Sequence, residues 1–162
     1  YDKIVSIEMI EAVGHEFLDT FFGQCSSLLK RGGDMLIQTI TMNEQDHRRY
    51  LKSVDFIRAY VFPGGCLPTM HSLTGSVGRV TDMRLLQHVD ITPHYATTLN
   101  CWKREFLSQR DHIGDLGYDG RLVRLWHFYL CYCEAAFAER HVHCVQAIFS
   151  KPGSTLDPLP TA

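Results

Sequence analysis

The apolar and polar positions first form a short run, Lys3 to Ile7, in which Ile4, Val5 and Ile7 are β-branched. That profile predicts a buried strand. After Gly14 the spacing becomes helical. Phe17, Phe21, Cys25 and Leu28 recur along one side, and Leu18, Phe22 and Leu29 widen it into a stripe that must pack on a sheet. Lys30 and Arg31 suit the last turn of this helix, and Gly32-Gly33 supplies its stop. A second apolar run, Met35 to Thr41, completes strand, helix, strand. This is a βαβ pattern, so the two strands should be parallel with a right-handed crossover.

The rhythm breaks over residues 42–68. A polar stretch is followed by Phe56, Tyr60, Val61, Phe62 and Leu67, interrupted by Pro63, Gly64, Gly65 and Pro68. Such residues forbid one continuous helix, yet the apolar groups are too many for a solvated loop. The segment either packs on its own domain, the reading composition favours, or forms an apolar wall for a ligand or lipid. Further along, the pattern predicts a helix over about 70–83, weakened by Gly75 and Gly78, and a strand over 85–91. Two long helices follow over about 94–113 and 119–139, the second with Leu122, Trp126, Tyr129, Cys133 and Ala136 on one face. The last strand is expected at 144–149. Residues 151–162 hold three prolines and no large aromatic, and are expected to be a disordered tail.

Composition narrows the function classes. With 162 residues, 45% apolar and 21% charged, the chain can bury a real core and resembles an ordinary globular domain. A formal charge of −2 gives no sign of a nucleic-acid partner. No apolar run approaches the ~18 residues of a membrane span. Six cysteines occur without zinc spacing. Cys131 and Cys133 would face different ways on a helix, and His141, His143 and Cys144 fall short of the convergent ligand set a metal needs. No metal site is expected.

The chemistry that remains sits where the first strand must end. Glu8 and Glu11 place two carboxylates there, and in open α/β sheets ligands bind beyond the carboxyl ends of the strands. A carboxylate facing a helix N-terminus would also account for either residue. Position alone does not separate the two readings. Glu134, within the second long helix, is expected at the surface or paired with Arg104 or Arg124, since an unpartnered carboxylate on an apolar face is costly.

Five separated blocks add up to a family resemblance. They are Asp2 to Gly14, Leu36-Ile37-Gln38-Thr39-Ile40, Tyr60 to Pro68, Tyr95 to Leu99 with Trp102, and Tyr129-Leu130 with Tyr132-Cys133-Glu134. In their order and spacing the chain resembles the cyclopropane-fatty-acyl-phospholipid synthase family, which includes the mycolic acid cyclopropane synthases. The resemblance implies an α/β fold, the C-terminal half of a Rossmann-like methyltransferase sheet with helices on both faces and an inserted helical lid. Residues 1–150 would be that part of the domain, with a lipid-site segment over about 42–83. No counterpart of the family's glycine-rich cofactor loop is present, which suggests a fragment that is inactive by itself.

The implied reaction is transfer of a methyl group from S-adenosylmethionine to the double bond of an unsaturated phospholipid acyl chain, closing a cyclopropane ring. In the family a bound bicarbonate ion accepts the proton. Carried over residue by residue, the resemblance places Glu11, Tyr95, Gln38 and the backbone of Ile40 around that ion. Gln38 is a departure, because the family has histidine there and glutamine cannot shuttle a proton. Ile7 would lie against the cofactor. Phe56, Tyr60, Phe62 and Tyr129 would meet the acyl chain, and Tyr95, Tyr129, Phe62 and Trp126 could face a carbocation, although Trp126 suits plain core packing better. Two other readings stay open, a methyl- or methylene-branching enzyme and a non-catalytic remnant that binds lipid or protein. The expected location is cytoplasmic, at the periphery of a membrane.

Overall fold

The computed structural model describes residues 1–158. Four strands form one sheet in the order β1-β2-β4-β3, with β1 at Lys3–Ile7, β2 at Asp34–Met42, β3 at Arg84–Asp90 and β4 at Val142–Ser150. β1 and β2 are parallel, with Ile7 opposite Gln38, while β3 and β4 are antiparallel. The predicted βαβ unit is therefore present, its crossover being helix α1 at Leu18–Leu28. The remaining helices are α2 at Glu44–Tyr50, α3 at Phe56–Tyr60, α4 at Met70–Val80, α5 at Thr92–Ser108, α6 at Arg110–Asp115 and α7 at Gly120–Ala138.

The chain divides into two compact units, Tyr1–Asp90 with His143 onward, and Ile91–Val142. In the first, α1 and α4 cover one face of the sheet. Phe22, Leu73, Met35, Ile37 and Phe149 are fully buried there, and Phe22 meets Phe149 edge-on with ring centres 5.8 Å apart. Burying each such side chain stabilises the fold by about 1.5–3 kcal/mol.

The apolar stripe of α1 is narrower than its spacing predicts. Leu18, Phe22 and the following Leu29 are buried, whereas Phe17 is 58% and Leu28 45% exposed. A 3-10 turn over His15–Phe17 precedes the helix, so Phe17 lies before the first regular turn. At the other end, the Gly32-Gly33 stop does more than end a helix. Gly32 has φ +74°, and a Cβ there would come within 2.9 Å of the Gly153 carbonyl oxygen.

That close approach belongs to a clasp that corrects the expected tail. Gly32 N donates to Pro152 O at 3.2 Å, and Lys151 N donates to Gly33 O at 3.0 Å. Ser154 Oγ donates to Asp34 Oδ1 at 2.7 Å, and Leu156 N donates to Ser154 Oγ at 3.1 Å. The segment is thus tied down as far as Leu156, because its backbone finds partners that composition does not reveal. Residues 159–162, also assigned to the tail, lie outside the described residues.

In the second unit α5 packs on α7. The helix expected over 94–113 is two, since Gln109 (φ −94°, ψ 14°) ends α5 and starts α6. Side chains compete for the backbone at this break: Ser108 Oγ donates to the Glu105 carbonyl at 2.8 Å. Asp119 caps α7 by accepting from Arg121 N and Leu122 N, both at 3.0 Å. The buried stripe of α7 is Val123, Leu130 and Phe137 rather than the face that starts at Leu122. Glu134 pairs with neither expected arginine. Lys103 and Asn100 of α5 both donate to it, the latter at 2.6 Å.

Among the described residues no helix is long and apolar enough to cross a membrane, and no group of three or more His, Cys, Asp or Glu could hold a metal ion.

Candidate functional site at the strand tips

β1 ends at Ile7, and the parallel pairing sets its tip beside Gln38 of β2. Glu8 then turns out of the strand with φ +49°, a left-handed conformation unfavourable for a residue with a side chain. Its N–H donates to the Gln38 carbonyl at 2.8 Å. Its carboxylate Oε1 accepts from Gln38 Nε2 at 2.9 Å. The other end of that amide is also held, because Gln146 Nε2 of β4 donates to Gln38 Oε1 at 2.9 Å. Glu8, Gln38 and Gln146 thus form one chain across three segments of the first unit.

Glu11 sits one turn further, in a 3-10 helix over Ile10–Ala12. Its Oε1 accepts from Thr39 Oγ1 at 2.8 Å and from Ile40 N at 2.7 Å. Its Oε2 is buried and has no hydrogen-bond partner. A buried acceptor without a donor is uncommon in folded proteins and marks a place where chemistry is to be sought. The Glu11 carbonyl accepts from Cys66 N at 2.8 Å, and the Cys66 thiol lies 3.9 Å from His15 Nδ1. Met42 N donates to Pro68 O at 3.0 Å. The aromatic, proline and glycine block is therefore fastened at its far end to both strand tips.

Cys144 lies on β4, fully buried. Its burial, and behind it the charges of Glu8, Glu11 and Asp90, push the thiol up to about 12. It stays a neutral thiol at physiological pH and is no nucleophile. His143 points elsewhere, with Nε2 3.1 Å from Asn43 Oδ1 and Nδ1 3.8 Å from Asp90 Oδ2.

The structure brings together Glu11, Gln38 and Ile40, with Ile7 next to them and 59% exposed. Phe56 and Tyr60 share α3 with ring centres 5.7 Å apart; Tyr60 and Phe62 are 69% and 56% exposed. Tyr95 and Tyr129 belong to the second unit, where Tyr95 packs on Phe137 at 4.6 Å and Tyr129 on Trp126 at 5.1 Å. Sequence reasoning named Glu8 beside Glu11 as a carboxylate at the strand end, but missed the contacts of Thr39, Gln146 and Cys66, for which no signal in the sequence stands out.

Strand order, helix placement and a polar cluster at the strand tips define the class: part of an S-adenosylmethionine-dependent methyltransferase fold. The chain belongs to the family described as mycolic acid cyclopropane synthetase, whose model matches residues 1–147. It is 36% identical over 156 residues to tuberculostearic acid methyltransferase UfaA1 of Mycobacterium tuberculosis, covering 94% of this chain and 36% of that one. It is 33% identical over 151 residues to the cyclopropane-fatty-acyl-phospholipid synthase of Escherichia coli (strain K12), covering 93% of this chain and 38% of that one. Among solved structures it superposes on mycolic acid cyclopropane synthase CmaA1 complexed with SAH and CTAB, with a TM-score of 0.83 and 28% identity, over 93% of this chain and 55% of that one. The chain thus spans about a third to just over half of the length of these relatives.

Proposed function

We propose that the chain carries the acceptor side of an S-adenosylmethionine-dependent methyltransferase that acts on the double bond of an unsaturated phospholipid acyl chain. The observation that carries this reading is the Glu11 carboxylate, fixed at the strand tip through Oε1 while Oε2 is buried without a partner. S-adenosylmethionine would supply an electrophilic methyl group on a sulfonium, and an exposed apolar residue at a strand tip, Ile7, suits its edge. Attack by the alkene leaves a positive charge on the acyl chain. Glu11 would face that charge with a negative one held in place by Thr39 and the Ile40 N–H. Phe56, Tyr60 and Phe62 meet the acyl chain, and the exposed Tyr60 and Phe62 suit a protein working at a membrane surface.

A bicarbonate ion, the proton acceptor of the resemblance, carries an O–H, and the buried Glu11 Oε2 is an acceptor without a partner that suits it. The two N–H groups assigned to that ion in the first unit donate to carboxylates here, Gln38 Nε2 to Glu8 and Ile40 N to Glu11, and would exchange those bonds on binding it. A methyl- or methylene-branched product is the second reading. It is favoured by Gln38 and by the similarity to a relative named for tuberculostearic acid.

The test is a chimera that joins this chain to the N-terminal part of a family member, supplied with unsaturated phospholipid and S-adenosylmethionine. Acyl chains one carbon heavier support the reading. A folded chimera that leaves the lipids unchanged overturns it in favour of a non-catalytic binding remnant.

A further inference from the structure

We propose that the segment from α2 to Phe62 docks the protein on the surface of an anionic phospholipid bilayer. The choice of a lipid surface rests on the methyl-transfer reading above; the charge and exposure of the segment stand by themselves. Residues 47–64 hold the basic side chains Arg48, Arg49, Lys52 and Arg58 against a single acidic one, Asp55. The whole chain carries a formal charge of −2, so this is a positive patch on a slightly acidic molecule. Such a field turns the patch toward a negative surface and the rest of the chain away from it.

Asp55 and Arg58 are engaged within the segment. Asp55 caps α3, its Oδ1 accepting from Arg58 N at 2.8 Å. The Arg58 guanidinium lies over the Tyr50 ring, 5.1 Å from its centre, and donates to the carbonyls of Tyr50 and Ser53. Those bonds tie α3 to the end of α2 and give the patch a fixed shape. Arg48, Arg49 and Lys52 are exposed and make no ion pair or side-chain hydrogen bond among the described residues. Elsewhere in the same unit Lys3, Lys30, Arg79 and Lys151 are each paired with an aspartate. Unpaired cations this close together suit a surface of many anions.

Between and after the charges stand apolar groups. Val54 is 71%, Tyr60 69% and Phe62 56% exposed. Side chains this exposed project from the fold instead of lining a hollow. Projecting apolar groups can enter the fluid boundary of headgroups and acyl chains, which closes around them, and a tyrosine suits that depth with its ring in and its hydroxyl out. A folded acidic protein would need a matching socket for each. Docking here also serves the strand tips. The segment leaves β2 at Met42, whose N donates to Pro68 O at 3.0 Å, and Cys66 N donates to the Glu11 carbonyl at 2.8 Å. A bilayer held by the segment is thus brought to the end of the sheet that carries Glu11.

The experiment floats the 162-residue chain through a density gradient with lipid vesicles, so that aggregated protein stays at the bottom. Vesicles of phosphatidylcholine alone are compared with vesicles in which about a third of the lipid is phosphatidylglycerol. The chain should partition at least about tenfold more strongly onto the anionic vesicles, and salt near roughly 0.5 M should remove that preference. Arg48→Gln, Arg49→Gln and Lys52→Gln together should lower partition onto anionic vesicles by about tenfold to 100-fold. Val54→Ser with Tyr60→Ser should weaken it as well while leaving its salt dependence in place. Melting curves of both variants check that they fold. Equal partition of the parent and the three-glutamine variant overturns the proposal. So does a parent that fails to float with anionic vesicles, a result that would favour a soluble acidic protein as the occupant. Flotation needs no turnover, so a chimera that never alters acyl chains strikes the methyl-transfer reading and not the binding result.

Discussion

At the scale of single residues, the strand tips hold two carboxylates fixed in different ways. Glu11 is locked by a hydroxyl and a backbone N–H, whereas Glu8 is held by a side-chain amide. Glu11→Gln can keep both bonds at its carbonyl oxygen while losing the charge. Its expected effect in the chimera is a fall in kcat of about 100-fold to 1,000-fold, with KM for the lipid changed little and the melting temperature preserved. Steady-state kinetics beside a thermal melt would separate that outcome from simple unfolding. That the Glu11 carboxylate would stand at the strand tip was legible in the strand-and-turn pattern. The left-handed turn at Glu8 was not. A positive φ depends on what the neighbouring strand offers, and nothing local in Ile7-Glu8-Met9 demands it.

At the scale of elements, apolar runs located β1 and β2 well, but only β2 is the buried strand expected; β1 lies at the border of the sheet and leaves Val5 and Ile7 exposed. Helix phase was harder. The α1 and α7 sequences are apolar over a wide arc, and tertiary packing chose Phe22 over Phe17 and Val123 over Leu122. The α5–α7 pair makes a separate prediction. The Lys103 ammonium, with the Asn100 amide behind it, holds the Glu134 carboxyl below its ordinary value. Folding therefore gains from the ionised form. That gain is complete above the unfolded carboxyl value and is lost as pH falls through the lower folded one. Melting temperature should drop on acidification from about pH 5 to about pH 3, and Glu134→Gln should drop less over the same range. Equal slopes for the two proteins would show that the pair contributes nothing. The side chains are only partly shielded from solvent (about a fifth exposed on each), so the difference should be modest.

At the scale of the whole molecule, family and fold were readable because five blocks recur in a fixed order, while the C-terminal clasp onto Gly32 and Gly33 was invisible to composition. The sheet has one more property that matters at the bench. β1 pairs with β2 alone among the described strands, and Val5 and Ile7 are 63% and 59% exposed. A flat apolar strand at a sheet border is a template for another strand. The purified 162-residue chain should therefore show concentration-dependent light scattering. Val5→Lys should suppress that scattering without lowering the melting temperature, as a charge on an edge strand does in natural sheets. Scattering that is independent of both concentration and this substitution would show that the border is already shielded. Colloidal behaviour, more than catalysis, would then be the first measurable trait of β1, and buffer choice would decide whether any of the strand-tip chemistry can be assayed.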